Sequence, residues 1–159
     1  MMQKNRKKPN KTALVQAVDL LARQAHSTQK LIMKLKLRGY EEEEIQAAIE
    51  RLTQRGYLND EMVCARQFEY LFVESRYSVK QICIKLMQRG FASGLVHQCV
   101  PQEYEVREEQ MALRCLKLKF KSRTADPQKM MQYLYIKGFE SSTLHRAVDA
   151  FEEECEAEE

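Results

Sequence analysis

Carboxylate, thiol and imidazole side chains are the groups in this sequence that could carry out acid–base, nucleophilic or metal chemistry. Four successive glutamates, Glu41 to Glu44, would splay around a helix axis and cannot form an acid–base pair. A solvated helix start, favoured by the helix dipole, accounts for them better. The five cysteines contain no CxxC pair and the three histidines are scattered, whereas zinc sites and disulfide frameworks use closer, paired spacing. We therefore predict a protein that is not an enzyme and holds no metal or cofactor.

Basic side chains in corresponding segments are the stronger candidates for a site. Lys30, Lys34 and Arg38 stand at i, i+4 and i+8, which places them on one helix face. Lys85 and Arg89 occupy the equivalent positions of a second segment, and residues 28–38 and 79–89 contain no acid. A stripe of one sign is typical of a surface that binds an anionic partner. A second basic cluster is formed by Lys117, Lys119, Lys121 and Arg123.

The basic residues also have a purely structural interpretation. Lys and Arg near a helix C-terminus interact favourably with the dipole, and basic helices beside acidic ones can form exposed ion pairs that contribute little. Binding is the interpretation we favour for the rows as a set, because stacked repeats would bring them together as one basic band.

Three glycines, each followed by an aromatic residue, define an internal repeat. They are Gly39-Tyr40, Gly90-Phe91 and Gly138-Phe139, at intervals of 51 and 48 residues. Twelve residues before each glycine stands a residue that caps helix N-termini: Ser27, Ser78 and Asp126. Eight and four residues before each glycine stand apolar pairs: Leu31/Leu35, Ile82/Leu86 and Met130/Leu134. The spacing predicts a capped amphipathic helix that ends at a left-handed glycine in every repeat.

Each repeat also contains a helix before and a helix after this middle helix. The preceding helices are predicted at 13–24, 60–75 and about 107–121, and the following ones at 41–55, about 93–100 and 142–154. The segment 115–121, CLKLKFK, also alternates at the period of a strand, although the repeat context favours helix. Pro101 should end the last helix of the second repeat early and make it the shortest.

The sequence therefore predicts an all-α protein with three tandem three-helix repeats that form an elongated, curved helical array. The predicted divisions are a basic flexible tail at 1–12, repeats at 13–57, 58–104 and 105–154, and an acidic tail at 155–159. Neither a secretory signal nor an apolar run of about 20 residues is present. We expect a cytoplasmic protein that does not associate with membranes.

Three segments resemble the RecX family, modulators of the RecA recombinase. They are HSTQKLIMKLKLRGYEEEEIQAAIERLTQRGYLNDEMVCARQF (26–68), RYSVKQICIKLMQRGF (76–91) and MQYLYIKGF (131–139). The shared features are the capped helix, the basic-Gly-aromatic stop and the Gly56-Tyr57-Leu58-Asn59-Asp60 turn into the next repeat. The KLKFK segment, the Lys-rich N-terminus and the acidic C-terminus depart from the family pattern.

This resemblance implies a regulator that lodges in the groove of the RecA–DNA filament and restrains filament growth, strand exchange and ATP hydrolysis. It would act in DNA repair, recombination and the SOS response. The expected partner is the RecA filament, with single-stranded DNA inside the filament as a further contact, and the expected state is a monomer. A helical module that binds nucleic acid directly is the alternative, since short basic helices resemble helix-turn-helix units. No helix, however, is clearly equipped with Asn, Gln and Arg for reading base edges.

Overall fold

The computed structural model describes residues 10–120 and 126–157, and these residues form helices joined by short connections, with no strand among them. The helices follow one another as three sets of three, which confirms the predicted all-α repeat fold. Their bounds are Ala13–Arg23 (α1), Thr28–Leu37 (α2), Glu42–Gln54 (α3), Asp60–Glu74 (α4), Val79–Gln88 (α5), Ser93–Gln98 (α6), Glu105–Lys119 (α7), Pro127–Ile136 (α8) and Ser141–Ala157 (α9). No helix in the described part of the chain is both long and apolar enough to cross a membrane.

The described residues fall into two compact units. The first comprises residues 10–66 and 86–96, and its core packs α1, α2 and α3 together. The second comprises residues 67–85, 97–120 and 126–157, and its core packs α7, α8 and α9 together. The predicted apolar pairs of the three middle helices are all fully buried. Each middle helix is therefore held by its stripe of apolar side chains, as the spacing predicts.

Local capping explains where α2, α5 and α8 begin and end. Each predicted N-cap side chain accepts a first-turn amide: Ser27 from Lys30, Ser78 from Gln81 and Asp126 from Gln128. The glycine after each helix has a positive φ of 88°, 94° or 83°, which confirms the predicted left-handed caps. The aromatic residue that follows is buried and donates its amide to the carbonyl five residues earlier. These aromatic residues are Tyr40, Phe91 and Phe139.

The two N-cap serines also connect successive repeats. Ser27 donates its hydroxyl proton to the Arg89 carbonyl at 2.6 Å, and Ser78 donates to the Lys137 carbonyl at 2.7 Å. Each acceptor is the residue before the glycine of the next repeat. A Cβ placed on Gly90 would lie 2.7 Å from Ser27 Oγ, so glycine permits this close approach as well as the turn. Serine suits the position because one hydroxyl can accept and donate at the same time.

A carboxylate from the first helix of the next repeat supplies a second connection. Asp60 of α4 accepts the Thr28 amide of α2 at 2.8 Å, and Glu108 of α7 accepts the Val79 amide of α5 at 2.9 Å. Both carboxylates stand thirty residues before the glycine of their own repeat. They satisfy amides that have no partner inside the helix and place negative charge at the positive end of its dipole.

Glu108 is almost completely buried beside Arg107, whose Nη1 lies 3.2 Å from its carboxylate. Burial raises the pKa of Glu108, while the Val79 amide and the Arg107 guanidinium act in the opposite direction. Arg107 also donates to three backbone carbonyls, those of Phe72, Ser75 and Tyr77. This ion pair therefore ties the start of α7 to the connection between α4 and α5.

The remaining helices agree with the sequence predictions apart from some ends. Residues 115–119 are helical rather than extended, and α6 is the shortest of the described helices, as Pro101 predicts. The last helix continues to Ala157, three residues past its predicted end, so residues 155–157, expected in the acidic tail, are helical. Cys155 packs against the core one turn after the buried Phe151, which explains the extension.

The residues before α1 take part in the fold although they were expected in the basic tail. The Thr12 side chain accepts the Val15 amide and caps α1. The Lys11 carbonyl accepts the Tyr40 hydroxyl proton at 2.9 Å, and its ammonium pairs with Asp19. A long-range contact from Tyr40, which follows α2, and local contacts from α1 thus fix a segment whose composition alone resembles a tail.

Candidate partner-binding surface

The basic row predicted on α2 lies along one face of the helix, with Lys30 and Lys34 half-buried and Arg38 exposed. Arg38 Nη1 donates to the Lys34 carbonyl at 3.0 Å, so its guanidinium lies at the helix C-terminus, where the dipole favours a cation. None of the three side chains pairs with a carboxylate among the residues that the structure describes. The row therefore keeps its positive charge available to a partner.

A buried imidazole contacts one lysine of this row. Lys34 Nζ lies 3.3 Å from Nε2 of His26, which is buried at the residue before the N-cap. Burial lowers the pKa of His26, and the charges of Lys34 and Lys30 lower it further. An ammonium has protons to donate but no acceptor, so the neutral imidazole accepts at Nε2. This contact holds the Lys34 ammonium in place without neutralising it.

The second repeat places an aromatic ring at the same position. Lys85 Nζ lies 4.3 Å from the centroid of the Tyr77 ring, and these two residues align with Lys34 and His26 on the repeat glycines. A cation over an aromatic face is attracted by the ring quadrupole. Sequence reasoning missed this support, although the shared offset of His26 and Tyr77 from their glycines was available as a signal.

The other predicted residues lie in different surroundings. Arg89 is exposed, and its carbonyl binds Ser27 at the start of α2. Lys117, predicted to bind a partner, is exposed and pairs with Glu154 of α9. Lys119 is exposed and has no carboxylate partner within the described residues. Lys121 and Arg123 lie outside the described residues.

The predicted residues are thus divided between the two units. Lys30, Lys34, Arg38 and Arg89 belong to the first unit, and Lys85, Lys117 and Lys119 belong to the second. Inside the first unit, the Ser27 contact brings the Arg89 backbone to the N-terminal end of α2, opposite the end that carries Arg38. Basic residues consequently mark both ends of α2.

Apolar side chains accompany the basic row on α2. Met33 and Leu37 are 44% and 69% exposed. A surface that combines lysine, arginine and exposed aliphatic groups can bury apolar area and also match negative charge. Such a combination suits a protein partner better than a bare phosphate backbone.

Three cysteine thiols outside these rows lie in the core. Cys64, Cys83 and Cys115 are buried, and burial raises the pKa of the Cys83 and Cys115 thiols. Raised pKa values keep these thiols protonated, as expected of small core residues. Within residues 10–120 and 126–157, no three His, Cys, Asp or Glu side chains are placed to hold a metal ion.

Comparison with known proteins decides the family. A family model described as RecX, first three-helix domain, matches residues 13–52. Regulatory protein RecX of Caldanaerobacter subterraneus subsp. tengcongensis is 31% identical over 139 residues, which cover 87% of this chain and 70% of that protein. This chain belongs to the RecX family. The resemblance recognised in the sequence is thereby confirmed.

Further RecX proteins match at least 86% of this chain. Regulatory protein RecX of Vibrio parahaemolyticus is 29% identical over 157 residues, covering 96% of this chain and 99% of that one. The crystal structure of RecX from Lactobacillus salivarius is similar with a TM-score of 0.76 at 16% identity, covering 87% of this chain and 94% of its own. Another crystal structure, of regulatory protein RecX, has a TM-score of 0.76 at 22% identity, over 86% of this chain. The RecX fold is therefore shared at low sequence identity.

Proposed function

We propose that this RecX-family protein regulates the RecA recombinase by binding the RecA–DNA filament and restraining its ATP hydrolysis and strand exchange. The main support for this proposal is the family membership, together with the middle helices α2, α5 and α8, whose charged side chains are all basic. It would act as a monomer in the cytoplasm, in DNA repair, recombination and the SOS response, without chemistry of its own.

The basic rows are the proposed contact with the filament. Lys30, Lys34 and Arg38 form a cationic face on α2, and Lys34 is supported by the buried His26. Lys85 has the corresponding support from Tyr77 in the second repeat. Cations held at fixed positions lose less side-chain entropy when they bind phosphate or carboxylate. Together with Arg89, Lys117, Lys119, Lys121 and Arg123, they are the residues we propose to bind the partner.

Charge reversal at the two ends of the row on α2 tests this contact. In one variant, Lys30→Glu and Arg38→Glu are combined, since neither residue has a carboxylate partner among the described residues. The matched control combines Arg23→Glu and Arg51→Glu, two exposed arginines outside the rows, and changes the net charge equally. We expect filament binding to weaken roughly tenfold or more for the row variant and to change about twofold or less for the control.

Salt dependence separates the two kinds of contact. If the row touches DNA phosphates, the slope of log K against log salt should shrink by about one for each phosphate that the variant no longer neutralises. If it touches acidic recombinase surfaces, affinity should fall with a smaller change of slope. Equal effects in the row variant and the control would refute the row as the contact.

Direct binding of nucleic acid is the competing function. A module of that kind would bind bare single- or double-stranded DNA as tightly as the filament at the same salt concentration. Its binding to bare DNA and its binding to the filament would also weaken together in the Lys30→Glu/Arg38→Glu variant. Selective binding of the filament supports the regulatory function.

A further inference from the structure

We infer that the first unit contains a second binding site, a cleft that takes an acidic peptide segment of a protein partner by means of one large apolar side chain. The cleft has a volume of about 490 Å³ and lies between α1, the end of α3 and the start of α4. Its size falls within the roughly 300–1,000 Å³ typical of ligand pockets. It goes beyond the proposed function, because none of the basic residues proposed to bind the filament is among those that line it.

The walls of the cleft are aliphatic and incompletely covered. Val18 of α1 and Met62 of α4 line it and are 47% and 51% exposed. Both belong to one cleft, unlike apolar residues scattered singly over a convex surface. Burial of such side chains by a ligand contributes about 25 cal/mol per Å² of apolar area removed from water. An apolar anchor group is therefore the chemistry that the walls fit.

The charged residues that line the cleft, which we call its rim, are all basic. Arg55 and Arg66 line it and are exposed, and neither pairs with a carboxylate within the described residues. His26 also lines the cleft, and its Nε2 atom lies 3.3 Å from Nζ of Lys34. No aspartate or glutamate is among the lining residues. Guanidinium groups recognise carboxylates in bidentate fashion, so acidic residues beside the anchor would complete the match.

A nucleobase fits the cleft less well than an apolar side chain. Bases bind single-strand sites by stacking on aromatic faces. Two aromatic rings, Tyr57 and the His26 imidazole, line the cleft, whereas most of the other lining side chains are aliphatic. Acidic peptide is accordingly the occupant that both the walls and the rim favour.

The test uses the full chain and a fluorescein-labelled peptide of sequence DEDLFDE, read by fluorescence anisotropy and by amide chemical-shift mapping. We expect saturable binding with shifts centred on α1 and the start of α4. Exchange of the Leu-Phe anchor for Gly-Ser, and the Arg55→Glu/Arg66→Glu variant, should each weaken binding roughly tenfold. Arg51→Glu, a single reversal on α3 outside the lining residues, should change it about twofold or less.

Three results would overturn the inference. The first is no saturable binding up to about 1 mM peptide. The second is equal binding by the peptide without its anchor, which would make the contact a general charge effect, or equal binding by the variant with both arginines reversed, which would place the contact away from the cleft. The third is a labelled oligothymidylate that binds more tightly than the peptide and is lost in the Arg55→Glu/Arg66→Glu variant, which would assign the cleft to nucleic acid. None of these measurements involves the recombinase, so they are independent of the proposed filament contact.

Discussion

Alanine substitution of Gly56 and of Gly90, which share a left-handed backbone conformation, should distinguish two contributions to stability. One is the backbone strain at the turn, and the other is the close contact between repeats. Gly56 and Gly90 have φ values of +74° and +94°, so alanine is strained at both. A Cβ on Gly56 meets nothing within 4 Å, whereas one on Gly90 would meet Ser27 Oγ at 2.7 Å and the Lys30 amide nitrogen at 3.3 Å. Gly56→Ala therefore serves as the matched control for Gly90→Ala.

The expected magnitudes follow from these distances. Left-handed backbone at a residue with a Cβ destabilises by about 1–2 kcal/mol, and this applies to both variants. At Gly90 the Ser27 hydroxyl must also move, so it loses its bond to the Arg89 carbonyl or to the Lys30 amide. A buried polar group left without a partner adds about 1–3 kcal/mol. Gly90→Ala should thus destabilise more than Gly56→Ala by about this second amount.

Urea unfolding followed by circular dichroism measures the difference, and each kcal/mol corresponds to about 2–4 °C in the melting temperature of a chain of this size. The double variant Ser27→Ala/Gly90→Ala adds a check, because the clash disappears with the hydroxyl. Its loss of stability should be smaller than the sum of the single losses by about 1 kcal/mol. Equal destabilisation by Gly56→Ala and Gly90→Ala, together with additive effects of Ser27→Ala, would refute the role of glycine where the repeats meet.

Three further predictions concern the buried polar groups. Arg107→Ala should destabilise by about 3–5 kcal/mol in urea unfolding because it leaves the Glu108 carboxylate buried without its partner, while Arg146→Ala, which breaks an exposed pair with Glu109, should cost less than about 1 kcal/mol. Since the folded pKa of His26 lies below 6.5, the unfolded chain takes up its proton first as pH falls, so stability should decrease below about pH 6.5 until the folded pKa is reached. His26→Tyr should reduce the dependence of the free energy of unfolding on pH in this range. An unchanged dependence would contradict the lowered pKa of His26. Ser78→Ala should lower the free energy of unfolding in urea by about 1–2 kcal/mol, because the cap and the hydrogen bond to the Lys137 carbonyl are both removed, and an unchanged value would contradict both roles.

The fold was predictable because its signals are local. Ser27 and the residues equivalent to it cap helices through amides three residues away or closer, and Gly39 and its equivalents end the same helices. The apolar pairs at i and i+4 need no more than helical periodicity to be recognised. Where the repeats agree at each offset, local propensity and global fold support one another.

The contacts between repeats were not predictable from the same signals. The donation from Ser27 to the Arg89 carbonyl spans 62 residues and depends on the placement of two helices that periodicity does not specify. The ion pair of Lys117 with Glu154 joins α7 to α9. Lys117 was predicted to bind a partner from its charge alone, and the sequence did not indicate this ion pair. The cleft at Val18 and Met62 likewise arises where α1, α3 and α4 meet.

Binding of the unmodified protein to a RecA–DNA filament, measured beside binding to the same single-stranded DNA without RecA, shows whether the protein acts on the filament. Both titrations use one salt concentration, and the RecA ATPase rate is recorded in the filament titration. We expect tighter binding to the filament and a fall in ATP hydrolysis that saturates as the filament is occupied. Equal affinity for bare DNA, or an ATPase rate that stays constant while the filament is saturated, would contradict it.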